Sequence, residues 1–129
     1  MDEAGAWTAR AAIAELITRY AALNDAGDWD AVAALYTEEG RMSRPTAPDE
    51  FITGRAAILA AFRSRPRRAS RHILLFVGSV AGDGGLPIQS ADPPLIGSYA
   101  DTLVKTQEGW RFAERRGSLD FRAQGMKRV

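Results

Sequence analysis

Apolar side chains near the start of the chain recur at helical spacing. Ile13, Leu16, Ile17, Tyr20 and Leu23 or Asn24 follow steps of three and four, while Arg10, Glu15 and Arg19 fall on other faces. This predicts an amphipathic helix from Ala6 to Ala26, closed by Gly27, the residue that most easily takes the left-handed turn at a helix end. Asp28 is a suitable N-cap for a second helix, with Asp30 in its first turn. That helix is expected to carry Trp29, Val32, Ala33, Leu35 and Tyr36 and to end near Gly40. A short strand at Arg41 to Arg44, a loop from Pro45 to Glu50 and a third helix from Arg55 to Arg65 follow. Ile58, Leu59 and Phe62 point that helix inward, and Pro66 ends it.

The second half changes period. Arg71 to Val80 is rich in Ile, Leu, Phe and Val and reads as a strand. Gly82 to Gly85 is a turn, and Leu86 to Leu95, with Pro87, Pro93 and Pro94, reads as loop or edge strand. Gly97 to Thr106 and Trp110 to Phe121 read as two long strands joined by a tight hairpin at Gln107-Glu108-Gly109. Helices followed by strands argue for one α+β domain over residues 1–129, with three N-terminal helices packed on a curved antiparallel sheet.

Composition narrows the picture. The 129 residues are 46% hydrophobic and 26% charged, the range of an ordinary globular domain. No apolar run is long enough to span a bilayer, and the acidic start Met1-Asp2-Glu3 is unlike a signal peptide, so a cytoplasmic protein with no membrane partner is expected. A net charge of +1 provides no global field for nucleic acid, and none is expected as a partner. Arg63, Arg65, Arg67, Arg68 and Arg71 form a local basic stretch, which a solvated loop at a helix end explains.

Without cysteine there is neither disulfide nor thiolate chemistry, and with one histidine a metal site is not expected. Phosphate-binding, dinucleotide, HExxH and GxSxG motifs are all missing. The search narrows to His72, at the start of an apolar strand, whose imidazole is suited to general-base work near neutral pH. Tyr20, on the apolar helix face, has a hydroxyl that needs a partner if buried; Asp25 follows where the helix ends. Alternation puts Trp110, Phe112, Glu114 and Arg116 on one face of the last strand and Arg111, Ala113 and Arg115 on the other, without saying which lines the interior.

The run from Ile17 to Asp30, then Gly54-Arg55-Ala56-Ala57-Ile58, Arg71-His72, Gly97-Ser98-Tyr99-Ala100-Asp101 and Gly109 to Arg116, resembles SnoaL-like domains of the NTF2-like superfamily in order and spacing, over about residues 8 to 121 apart from 81 to 96. The resemblance implies a cystatin-like cone of sheet closed by helices around an apolar pocket; such domains usually carry a full strand after the histidine strand, and because Gly82 to Leu95 is short and proline-rich that strand is expected here to be shortened or missing. It also implies self-association as a homodimer or homotrimer. In the scytalone dehydratase and bile acid dehydratase branch, a helix tyrosine, an aspartate five residues on and a strand histidine line the pocket; these positions match Tyr20, Asp25 and His72. The implied activity is a lyase or isomerase reaction, dehydratase-like, on a hydrophobic cyclic or polyketide-like molecule, with no cofactor and no metal. Arg44 falls where ketosteroid isomerase has its catalytic aspartate, and an arginine there suits binding an anionic or carbonyl group rather than taking a proton. Arg44, Tyr36, Trp29 and Arg116 are the expected substrate contacts. A non-catalytic ligand-binding module and an oligomeric accessory domain of the same fold are the alternatives.

Overall fold

A computed structural model describes residues 1–65, 69–73, 78–82 and 95–121, with only the backbone described for 69–73, 78–82 and Leu95. The helices are α1 (Glu3–Ala26), α2 (Trp29–Ala34) and α3 (Arg55–Arg63). The strands are β1 (Tyr36–Arg44), β2 (Ala47–Thr53), β3 (Ala69–Ile73), β4 (Gly78–Gly82), β5 (Leu95–Thr106) and β6 (Gly109–Phe121). They form one sheet in the order β2-β1-β6-β5-β4-β3.

Local chemistry accounts for the ends of α1. The Asp2 carboxylate accepts from the Gly5 N–H at 2.7 Å, and Gly27 takes φ 71°, its N–H reaching Asn24 O and the Asp28 N–H reaching Leu23 O. Asp28 then caps α2, accepting from the Ala31 N–H. The hairpin between β5 and β6 turns through Gln107 and Glu108, with Gly109 at φ 106°.

Four features depart from the sequence reading. First, α2 stops at Ala34 instead of running toward Gly40. The Phe112 N–H bonds Leu35 O at 2.8 Å, and Arg55 donates twice to Tyr36 O, at 2.6 and 3.1 Å, so β6 and α3 draw this backbone into a strand. Second, β1 lies parallel to β6, so the sheet is mixed rather than wholly antiparallel. Third, Pro45 to Glu50 is a hairpin into β2 rather than a loop. Pro48 is tolerated because β2 is an edge strand, where one missing N–H breaks no ladder on the outer side. Fourth, the stretch from Arg71 to Val80 is divided between two antiparallel strands, with Ile73 opposite Gly78. The pairing of β4 with β5 covers only Gly78–Ile96 and Ser79–Leu95. The expected shortening between Gly82 and Leu95 falls on residues 83–94, outside the described residues.

Helix α1 packs across β3 and β6, α2 against α1 and β1, and α3 against α2, β1 and β2. Leu16, Tyr20, Val32, Leu35, Tyr36, Met42, Ile58, Phe62 and Phe112 form the shared core. Along β5, Tyr99, Asp101 and Leu103 are more buried than Ser98, Ala100, Thr102 and Val104, which lie exposed on the opposite face. Gly117 marks a close crossing: a Cβ there would stand 2.5 Å from Pro45 N.

Candidate functional site

Among the described residues, the interior between α1 and the sheet gathers aromatic rings around one cation. Arg115 is only 4% exposed. Its guanidinium carbon lies 4.2 Å from the Tyr20 ring centre, 4.0 Å from that of Tyr99 and 4.8 Å from that of Phe112. The Tyr20 ring meets Tyr36, Tyr99 and Phe112 edge-on, with centroids 5.8 to 6.4 Å apart. Cation–π attraction is strongest when the cation is desolvated, as here.

A bulge brings Arg115 inside. Thr102 pairs with Glu114 and Leu103 with Phe112, which leaves Ala113 unopposed. The extra residue reverses the alternation, so Phe112 and Arg115, three apart, share the inner face. Simple alternation had placed these two residues on opposite faces.

Asp101 on β5 faces Arg115, with its Oδ1 at 3.1 Å from Nε. The N–H direction misses that oxygen, so the contact is an ion pair without a well-aligned hydrogen bond. Arg115 Nη1 likewise has no acceptor among the described residues. A buried donor left so costs about 1–3 kcal/mol. Burial raises the pKa of the Asp101 carboxyl above the ordinary aspartate value, and the neighbouring guanidinium opposes the shift. Burial also raises the pKa values of the Tyr36 and Tyr99 hydroxyls; the adjacent Tyr20 adds to both shifts and Arg115 counters both. The Tyr36 hydroxyl is buried with no aligned hydrogen-bond partner among the described residues.

Among the residues singled out from the sequence, Tyr20 and Tyr36 lie in this aromatic cluster. Asp25 sits half-buried near the C-terminal end of α1, one turn and a half beyond Tyr20. His72 pairs through its backbone with Ser79 in β3, the strand α1 crosses; its side chain lies outside the described residues. Trp29 stacks on Phe62 at 5.4 Å, joining α2 to α3. Arg44 is exposed at the end of β1. Arg116 is exposed too, with its guanidinium donating to Pro48 O and the Asp49 carboxylate. Neither of these two arginines joins the cluster; among the described residues the buried cation is Arg115. In the basic stretch, Arg63 pairs with Asp30 and Arg65 lies over the Phe62 ring, while Arg67 and Arg68 lie outside the described residues.

The sequence reading gave no role to Asp101 and left Arg115 undecided. The available signal was the i, i+2 pair Tyr99 and Asp101, which must share a strand face. Among the described residues no three His, Cys, Asp or Glu side chains gather as metal ligands, and no helix is long and apolar enough to cross a membrane.

Comparison with solved structures shows the fold. An NTF2-like protein with a cystatin-like fold from Novosphingobium aromaticivorans is 23% identical, with a TM-score of 0.61 over 93% of this chain and 85% of that one. A protein from the same organism, provisionally described as a scytalone dehydratase, is 22% identical, with a TM-score of 0.63 over 93% and 89%. A protein from Catenulispora acidiphila, solved in complex with S-DNPA, is 18% identical, with a TM-score of 0.64 over 92% and 96%. No curated protein matches significantly. Residues 6–80, more than half of the chain, match the SnoaL-like domain family. The α+β architecture, its mixed six-stranded sheet and this match agree: the chain belongs to the SnoaL-like domain family, with an NTF2-like, cystatin-like fold.

Proposed function

We propose that this protein is a cofactor-independent lyase- or isomerase-type enzyme, dehydratase-like, acting on a hydrophobic cyclic or polyketide-like small molecule. The observation that carries the reading is the placement of Tyr20 and Asp25 on α1, the helix packed across the strand that holds His72. Tyr20 is buried among rings, where a flat apolar substrate is favoured over water. His72 takes the proton from the carbon beside the substrate carbonyl. Tyr20 donates a hydrogen bond to the carbonyl oxygen as it gains enolate character. The electron pair then expels the hydroxyl on the next carbon, which leaves as water with the proton held by His72. Asp25 orients the imidazole and stabilises its charged form. The neighbour solved with a small molecule bound and the one described as a dehydratase support this reading by fold alone.

Self-association as a homodimer or homotrimer belongs to the same proposal, supported by Ile96, Val104 and Phe121, large apolar side chains exposed on β5 and β6.

The test is turnover of a bicyclic β-hydroxy ketone that becomes a naphthol on losing water, followed by naphthol fluorescence. His72→Ala that retains native circular dichroism is expected to lose roughly 100-fold or more in rate. A folded His72→Ala protein with wild-type turnover removes the catalytic proposal.

A further inference from the structure

The proton-transfer scheme leaves the most unusual side chain of the interior unused. Arg115 is buried, its charge is balanced by Asp101 at 3.1 Å, and its guanidinium carbon lies over the rings of Tyr20, Tyr99 and Phe112. Ring faces attract the charge but accept no in-plane N–H. A guanidinium has five such donors in a fixed fork. Here Nε is misaligned with its carboxylate and Nη1 has no acceptor among the described residues. The geometry points to Arg115 as the anchor for a ligand oxyanion carried on a flat conjugated ring.

Three observations support this. The buried donors Nε and Nη1 have room for a further acceptor, and charge-assisted bonds to an ionised oxygen are the strongest an arginine makes. The surrounding side chains are aromatic, so a conjugated ring attached to that oxygen packs edge-on or stacked as the existing rings do. Asp101 meets the cation at Nε off the N–H direction and gives Nη1 no acceptor, so it leaves part of the guanidinium fork open to a ligand. Tyr99 is the least buried of the three rings, so the cluster is nearest to solvent on its side. Arg44 and Arg116 offer no comparable site, since both are exposed and Arg116 is already paired with Asp49.

The inference rests on the small-molecule site proposed above and specifies its ligand: a phenolate, ring enolate or aromatic carboxylate, with the negative oxygen against Arg115. Three probes of similar shape separate the possibilities: para-nitrophenol, para-nitrobenzoate and para-nitrotoluene. Binding is read by calorimetry on the intact protein, and for the phenol also by absorbance of its coloured phenolate. The expected result is at least about tenfold tighter binding of one anionic probe than of the neutral nitrotoluene. Tighter phenolate binding, with bound phenol ionising at lower pH than free phenol, identifies a hydroxyl-derived anion; tighter nitrobenzoate binding identifies a carboxylate. Arg115→Lys is expected to keep part of the preference. Asp101→Leu combined with Arg115→Met, which removes both charges together, is expected to bind all three probes alike. Equal affinity of the wild-type protein for all three overturns the anchor and leaves the apolar site intact. Anion preference that persists in the folded double variant overturns it as well. Failure of all three probes to bind overturns the small-molecule site itself, and the anchor with it.

Discussion

The Arg115–Asp101 pair makes a sharp test of how this interior is held together. Its two side chains are 5% and 12% exposed and stand 3.1 Å apart. At an effective dielectric of about 20, their attraction is roughly 5 kcal/mol, much of it offset by the cost of taking both charges out of water. Removing one partner strands the other, so Asp101→Leu and Arg115→Met should each destabilise the fold by about 3 kcal/mol. With roughly 2.1 cal/mol/K of unfolding entropy per residue, that lowers the midpoint of thermal unfolding by about 10 °C for a chain of 129 residues. The double variant leaves no charge behind, and its apolar side chains face Tyr20, Tyr99 and Phe112, so it should lie within about 1 kcal/mol of wild type. Urea unfolding of the four proteins, followed by circular dichroism, closes the cycle. Additive losses, with the double variant about 6 kcal/mol less stable, would refute the reasoning: the guanidinium would then be held by its ring contacts and the carboxylate by other partners.

Two further predictions concern the surrounding packing. Gly117→Ala puts a methyl group 2.5 Å from Pro45 N and 2.9 Å from Arg44 C, both backbone atoms, and should cost more than about 2 kcal/mol in urea unfolding; a loss below about 0.5 kcal/mol would show that the β1–β2 hairpin yields easily. Tyr36→Phe removes a buried hydroxyl that has no aligned partner among the described residues, so at neutral pH stability should hold or rise by up to about 1 kcal/mol. Because burial raises the Tyr36 pKa well above the ordinary tyrosine value of about 10, the unfolded chain ionises first, and wild-type stability falls as pH climbs past that value. The phenylalanine variant should lose less stability over the same alkaline range, and parallel curves for the two proteins would contradict the assignment.

How far the sequence could be read depended on how local each determinant is. Leu16, Tyr20 and Asn24 repeat on one side of α1 and are buried there, as their spacing requires. Gly27 and Asp28 act on backbone groups a few residues away, and both take the capping roles expected of them. Tyr20 could be assigned to the interior because helix period alone fixes its face. Leu35 and Tyr36 misled because their apolar pattern continues that of α2, while the groups that end the helix belong to Phe112 and Arg55. Arg115 stayed undecided because alternation does not say which face lines the interior, and its placement opposite Phe112 failed because the bulge at Ala113 depends on the pairing with β5.

By itself, the sequence determined the long first helix, the caps between α1 and α2, the β5–β6 hairpin and the succession of helices before the long strands. These follow from steric and hydrogen-bonding preferences that act over one or two turns. Tertiary structure alone decided where α2 ends, that β1 runs parallel to β6, that Pro48 sits in an edge strand, and that a charged residue fills the interior. Each depends on groups far apart in the chain satisfying one another's backbone bonds or charge, and no short stretch of sequence contains both partners.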